Sequence, residues 1–412
     1  MNHKVIVAGG GIGGLACALA LARAGVRSVV LEQADAWGEV GAGLQLGPNA
    51  VRVLAEWGLV DDLRACAAYP EALRVRDAHS ARQLGHLRLG AMCLARHRQH
   101  YATLHRADLH QLLLSALRQR PEVQMRLGAC VASYESNASG VRVTLDSGDI
   151  VTGGALIGCD GLWSRVRTQL LAPQPAPRAT GHLAYRGLVR VNQLPAPLRG
   201  NTVTAWLGPQ LHVVHYPVKQ GDWINVVAVV EGALKPGQGD PRQWTHEAHA
   251  ADLRLALGPA CDELLHLVEA VPDWTLWPLH DRAPLLNAQE QARGRVALLG
   301  DAAHPMRPYL AQGAAMALED AWTLERLLRA KPSVMALGVD WPALLARYAQ
   351  ARWQRNARVQ TIARRNGTIF HAQGALRLAR NLAMELLGER LLDNTWLYDG
   401  PPEPAAAPRR GT

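Results

Sequence analysis

Three carboxylates at strand ends and one histidine–tyrosine pair carry the chemistry this sequence can offer. The stretch from Lys4 to Gln33 reads KVIVAGGGIGGLACALALARAGVRSVVLEQ. Gly9, Gly11 and Gly14 have the G-x-G-x-x-G spacing of a phosphate-binding turn. Gly9 allows the tight turn, Gly11 lets a pyrophosphate reach the backbone, and Gly14 lets helix and strand pack closely. Glu32 ends the next apolar run, where a carboxylate accepts ribose hydroxyls and disfavours a 2′-phosphate. The ADP half of NAD or of FAD fits this pattern equally. Asp160 in CDGLWSRVR and Asp301 in GDAAHP end two further apolar runs. Ligands of an open α/β sheet lie beyond the carboxyl ends of its strands, so all three acids can face one extended ligand. Taken singly, each is also an ordinary turn residue. In LHVVHYP, His212 and Tyr216 alternate onto one face with Val214, and His215 onto the other. A histidine and a tyrosine on one face can hydrogen-bond and deprotonate a phenol, though an ordinary amphipathic strand carries such residues too.

The elements that position these groups follow from the hydrophobic pattern. Val5–Ala8 reads as a buried parallel strand, Ile12 to about Ala24 as a small-residue helix ended by Gly25, and Val26–Leu31 as a second strand. The glycines of GAGLQLGPN, from Gly41 to Asn49, predict backbone passing close to a ligand. Residues 73–90 read as irregular strands, and a helix runs from Leu109 to Leu117. Segments 123–133, 141–145 and 150–157 read as strands, and a short helix follows from Ser164 to Leu171. Beyond Pro173 the segments 182–191, 202–207, 211–218 and 223–230 form an antiparallel sheet, closed by helices over 243–257 and 260–270. The first pattern returns at Gly294, with a strand ending at Asp301 and a helix from Gly313 to Arg329. A last long helix starts at Asp340 and stops at Gly367.

Composition narrows the classes. The chain has 412 residues, 49% of them hydrophobic and 19% charged, enough for two or three domains with a large core. No apolar run reaches the roughly 18 residues of a membrane span. Six cysteines without C-x-x-C spacing suit a reducing cytoplasm. The net charge of +9 comes without a nucleic-acid-binding motif and points to anionic small ligands.

The segments GGGIGG with Glu32, LHRADLHQLL with Arg106, CDGLWSRVR and GDAAHPMRPYLAQGAAMALEDAW together resemble the single-component, FAD-dependent aromatic hydroxylases, over nearly the whole chain. The resemblance implies a Rossmann-type α/β FAD-binding domain (1–175 and 282–335) interrupted by an antiparallel substrate domain (176–281). A C-terminal helical region (336–396) and a flexible tail (397–412) would follow. It implies that Gly9, Gly11, Gly14 and Glu32 hold the ADP half of FAD and that Arg106 meets the phosphate–ribityl chain. Asp301 would bind a ribityl hydroxyl, and Asp160 would support the nucleotide loop. Pro308, Gly313 and Ala314 would run beside the isoalloxazine, with the Gly313 helix aimed at its N1 and C2 carbonyl. NADH or NADPH would bind transiently and reduce the flavin, and a C4a-hydroperoxide formed with O2 would hydroxylate a small anionic aromatic acid. H-x-V-H-Y-P is similar to a segment of the 3-hydroxybenzoate 6-hydroxylases, which implies that His212 and Tyr216 act on the substrate. GAGLQLGPNA and AYRGLV also resemble the salicylate hydroxylases. Pro308 stands where the hydroxybenzoate 6-hydroxylases carry Gln, which leaves the hydroxylation position open. Arg307 and Arg186 are both candidate partners for a substrate carboxylate. The protein would be a monomer or homodimer, and larger quinone-type substrates or a catalytically silent FAD-binding role are the alternatives.

Overall fold

The computed structural model describes residues 4–38, 41, 43–234, 240, 246–330 and 338–404. Strand Val5–Ala8 is wholly buried and lies between Ala155–Gly158 and Ser28–Leu31, both parallel to it. The sheet extends to Val123–Arg126 on one side and to Val296–Leu298 on the other, where Ala292–Arg293 adds an antiparallel edge. Cover on both faces explains why these strands read as unbroken apolar runs rather than as alternation. One cover is helix Ile12–Arg23, packed between helices Arg106–Arg118 and Gly313–Arg329. Its seat is close: a Cβ on Gly14 would lie 1.9 Å from the Gly9 carbonyl oxygen.

The second sheet has eight strands, in the order His246–Ala248, Trp274–Asp281, Arg178–Arg190, Trp223–Glu231, Leu211–Val218, Thr202–Gly208, Ala72–Asp77 and Gln83–Arg88. It departs from expectation in three ways. The segment read as irregular strands supplies its last two members, so the sheet is not confined to 176–281. Thr202–Leu207 pairs with Ala72–Asp77 in parallel, because that strand enters from the first part of the chain rather than by a hairpin. His246–Ala248, expected within a helix, pairs with Trp274–Leu276, and the helix starts only at Ala250. One face of this sheet buries Val213, Val226 and Ala228 under Leu253 and Leu264. The other face looks back at the parallel sheet.

The C-terminal part packs across both sheets. Asp340 caps helix Trp341–Phe370 by accepting from the Ala343 N–H at 3.2 Å. The helix does not stop at Gly367. That glycine is a close approach, since a Cβ there would lie 2.9 Å from Cε2 of Tyr309. Leu397 and Tyr398, placed by the sequence reading in a flexible tail, are buried. Arg355 donates to the carbonyls of Trp396 and Leu397, which fixes that segment. Residues 405–412 of the expected tail and 331–337 of the expected domain boundary lie outside the described residues. No helix among the described residues is long and apolar enough to cross a membrane.

Candidate active site

A cavity of about 670 Å³ runs from the carboxyl ends of the parallel strands to the open face of the large sheet. Gly9, Gly11, Glu32, Arg106, Asp160, Asp301, Pro308, Gly313, Ala314, His212 and Tyr216 all line it. Gly14 does not; it sits behind Gly9 and keeps the helix against the turn.

At one end Gly9 has φ +104°, and a Cβ there would strike the Cys159 carbonyl at 2.4 Å. Only glycine lets this turn and the Cys159–Asp160 loop meet. Glu32 accepts from the Gly10 N–H at 2.6 Å and from the Ala34 N–H at 2.9 Å, so its carboxylate is fixed across the turn. Asp160 accepts from Ser164 Oγ at 2.5 Å and from the Arg165 and Val166 N–H groups at 2.8 and 3.1 Å. Burial raises its pKa, and these donors oppose the rise. Its carboxylate is thus engaged by the start of helix Arg165–Leu170, and it holds the cavity wall in place. Arg167, which the sequence reading did not single out, is buried and donates to the carbonyls of Ala302 and Ala303 at 3.1 and 2.7 Å. It clamps the Asp301 turn to the Asp160 loop. The only available signal was its place at the end of CDGLWSRVR.

At the other end, helix Gly313–Arg329 opens on the cavity with no side-chain cap, and Ala311 before it is left-handed at φ +51°. A network of ions beneath fixes this start. Asp320 accepts from Arg352 Nε at 2.7 Å, from the Gly300 N–H at 3.1 Å and from Asn356 Nδ2 at 3.0 Å, and its Oδ2 lies 2.6 Å from His304 Nε2. Glu319 accepts from Arg352 at 2.9 Å, from Arg355 at 2.7 and 2.8 Å, and from Asn49 at 2.8 Å. Asn49 also donates to Gln312 Oε1 at 3.1 Å, which fixes the residue preceding the helix. Both carboxyls sit below their ordinary pKa, because the cations and donors outweigh a large burial penalty. Burial of charge at this density is tolerated only when each charge is paired.

On the large sheet His212, Val214 and Tyr216 face the cavity, while His215 turns away and accepts from Trp206 Nε1 at 3.1 Å. Burial holds His212 well below its ordinary pKa, so it is a neutral imidazole. Burial pushes the Tyr216 hydroxyl up, against the pull of Arg186 and the Gln45 amide, so it stays protonated. Gly43 makes room for this side chain: a Cβ there would lie 2.6 Å from Tyr216 Cε2, and its N–H donates to Asn225 Oδ1 at 2.6 Å. The glycines of GAGLQLG are expected to let backbone pass close to a ligand; the close approaches shown are to protein side chains, of Gly41 to Arg106 and of Gly43 to Tyr216 and Asn225. The two candidate arginines separate. Arg307 already pairs with Asp281 at 2.8 Å. Arg186 stacks 3.7 Å over the Trp277 ring, its buried Nε has no hydrogen-bond partner, and burial lowers its pKa to about 9, which leaves it cationic at neutral pH.

Two helices, Ile12–Arg23 and Gly313–Arg329, therefore present uncapped N-termini to one cavity. Each offers unsatisfied N–H groups and a positive dipole end. A long ligand with phosphates at one end and an anionic ring at the other matches this arrangement, and Arg106 and Asp301 also line the cavity. The FAD binding domain family matches this sequence over residues 2–363. The chain belongs to that family. It is 38% identical to 3-hydroxybenzoate 6-hydroxylase 1 of Aquipseudomonas alcaligenes over 390 residues, covering 94% of each chain. Among solved structures it resembles a salicylate hydroxylase substrate complex, with TM-score 0.81 and 29% identity over 97% of this chain and 96% of that one. It also resembles Klebsiella pneumoniae HpxO complexed with FAD and uric acid, with TM-score 0.82 and 27% identity over 96% of each. FAD is the cofactor, and the protein is a flavoprotein monooxygenase of the aromatic hydroxylase type.

Proposed function

We propose that this enzyme hydroxylates a small aromatic acid bearing a phenolic hydroxyl, of the hydroxybenzoate class, with NADH or NADPH as a transient reductant. The convergence of Arg186, His212 and Tyr216 on the cavity face of the large sheet carries this reading. When bound, FAD would supply the redox and oxygen-activating chemistry that no side chain here can provide. The chain's residues prepare the substrate. The Arg186 guanidinium, whose buried Nε has no hydrogen-bond partner, takes the carboxylate in a charge-assisted pair. Neutral His212 accepts the phenolic proton, and the protonated Tyr216 hydroxyl donates to the oxygen left behind. Both acts raise the electron density of the ring that is to be attacked. The uncapped start of the Gly313 helix favours negative charge at the nearer end of the cofactor, by about 0.3–2 kcal/mol. The similarity to the 3-hydroxybenzoate 6-hydroxylase supports the substrate class, and Pro308 leaves the ring position to experiment.

The test is a panel of hydroxybenzoates and hydroxypyridine carboxylates, following NADH consumption, peroxide release and product mass together. One of them should accelerate NADH oxidation and gain one oxygen. His212→Ala and Tyr216→Phe should retain FAD and lose about 10²–10⁴-fold in hydroxylation, the range of general acid–base catalysis. Hydroxylation at the wild-type rate in both variants would remove the pair from the site.

A further inference from the structure

His212 has a second neighbour behind the cavity. Its Nδ1 lies 2.8 Å from Nε2 of His371, the residue that follows helix Trp341–Phe370. The far nitrogen of His371, Nδ1, is buried without a hydrogen-bond partner, 3.5 Å from Glu231 Oε1. Glu231 ends strand Trp223–Glu231, and its side chain is 38% exposed. Its other oxygen accepts from Gln210 Nε2 at 3.0 Å. Three side chains thus lead from the cavity wall to solvent. Two more flank the middle one: His182 stacks on the His371 ring at 4.7 Å and hydrogen-bonds the Tyr309 hydroxyl through Nδ1. Arg380 is the cation acting on His371.

We infer that His212, His371 and Glu231 form a proton relay that carries the substrate's phenolic proton from the cavity to bulk water. The inference rests on His212 being the acceptor of that proton. The step balances without any electron transfer. The phenolic O–H breaks as an N–H forms at His212 Nε2. The Nδ1–H of His212 breaks as one forms at His371 Nε2. The Nδ1–H of His371 breaks as Glu231 is protonated, and Glu231 then releases the proton to water. Each imidazole accepts at one nitrogen while donating at the other, so neither has to hold a charge. Burial favours this mode. It depresses the pKa of both rings, that of His371 to about 3, so an imidazolium at either position would be costly. The structure provides the route by which a buried weak base can still take up the proton of a phenol: its net acceptor lies at the surface.

The test is stopped-flow mixing of oxidised holoenzyme with the hydroxybenzoate substrate. Phenolate absorbance and proton release to an indicator dye are followed together. Glu231→Gln and His371→Gln should slow phenolate formation at least about tenfold, and the slowed phase should carry a solvent isotope effect. Substrate Kd and FAD content should not move, and Glu231→Asp should restore the rate. Wild-type phenolate formation in both relay variants, with none in His212→Ala, would overturn the relay and leave His212 as the base. Absence of phenolate in the wild type would overturn the role of His212 and the relay with it.

Discussion

Two buried polar clusters flank the cavity, and they handle burial in opposite ways. Beneath the Gly313 helix, Glu319 and Asp320 remain ionised because the buried Arg352 and the partly buried Arg355 pair with them. On the cavity face of the large sheet, His212, His182, His371 and Tyr309 are neutral, held by ring contacts and single hydrogen bonds. A network of full charges has one low-energy arrangement and suits a part that must not move, here the start of a helix beside the cofactor. A network of neutral groups that both donate and accept can change its hydrogen pattern at little cost, which suits a part that must handle a proton.

The largest effect should come from breaking the ionic cluster. Arg352→Met leaves two buried carboxylates short of a partner, and removing one member of a buried pair costs about 3–5 kcal/mol. Urea unfolding followed by tryptophan fluorescence, with FAD release in parallel, would measure it. A loss below about 1 kcal/mol would show that Arg355, Asn49 and Asn356 suffice. The pH dependence separates the clusters. Asp320 and Glu319 have depressed pKa values in the folded state, so their contribution is present above ordinary carboxylate values and fades only as pH falls through the acid range. The buried histidines are also depressed, from 6.5, so the unfolded chain takes up protons first and stability starts to fall already below about pH 6.5. His371→Gln should flatten the melting temperature between about pH 6.5 and 4, whereas Arg352→Met should lower it throughout. A His371→Gln profile parallel to the wild type would mean that the histidine cluster is not buried neutral.

Arg186 lies between these extremes, as a cation with a buried nitrogen awaiting a partner. Arg186→Gln should raise substrate Kd by about 10- to 150-fold, the equivalent of about 1.5–3 kcal/mol for a hydrogen bond to a charged group. Binding of the matching phenol without a carboxylate should not change. Equal weakening of both would make Arg186 a packing residue for Trp277.

How much of this was legible in the sequence follows the same division. The parallel sheet and its glycine turn could be read directly, because local spacing determines Gly9, Gly11, Gly14 and the strand ending in Glu32. Alternation put His212, Val214 and Tyr216 on one face of LHVVHYP, but only the family resemblance implied that this face meets the substrate. The ionic cluster could not be read: Asn49, Glu319, Asp320, Arg352 and Arg355 are each ordinary polar residues in amphipathic helices, and only tertiary packing brings them together. His371 was equally silent, since its meaning depends on a strand 159 positions away. Arg186 and Arg307 could not be told apart by sequence, because Asp281, the residue that occupies Arg307, lies 26 positions before it. Gly367 was legible as a glycine of consequence but assigned the wrong one: a stop signal and a close contact look alike until the neighbour is known.

That neighbour supplies the smallest effect and the finest test of the comparison. Tyr309 packs on Gly367, sits in the turn Pro308–Leu310 beside the cavity, and meets both His182 and His212. Gly367→Ala puts a Cβ 2.9 Å from its ring, a distance that requires the ring to shift by a few tenths of an ångström. Overpacking costs about 1–3 kcal/mol, and replacing a mid-helix glycine returns about 0.5–1 kcal/mol. The expected net loss is about 1 kcal/mol, read as a small drop in urea midpoint with FAD content unchanged. Because the displaced ring touches the neutral cluster and not the ionic one, the variant should release more peroxide per NADH consumed while holding FAD as tightly as before. A gain in stability would mean that the turn gives way freely, and Tyr309 would then be no part of what holds His182 and His212 in place.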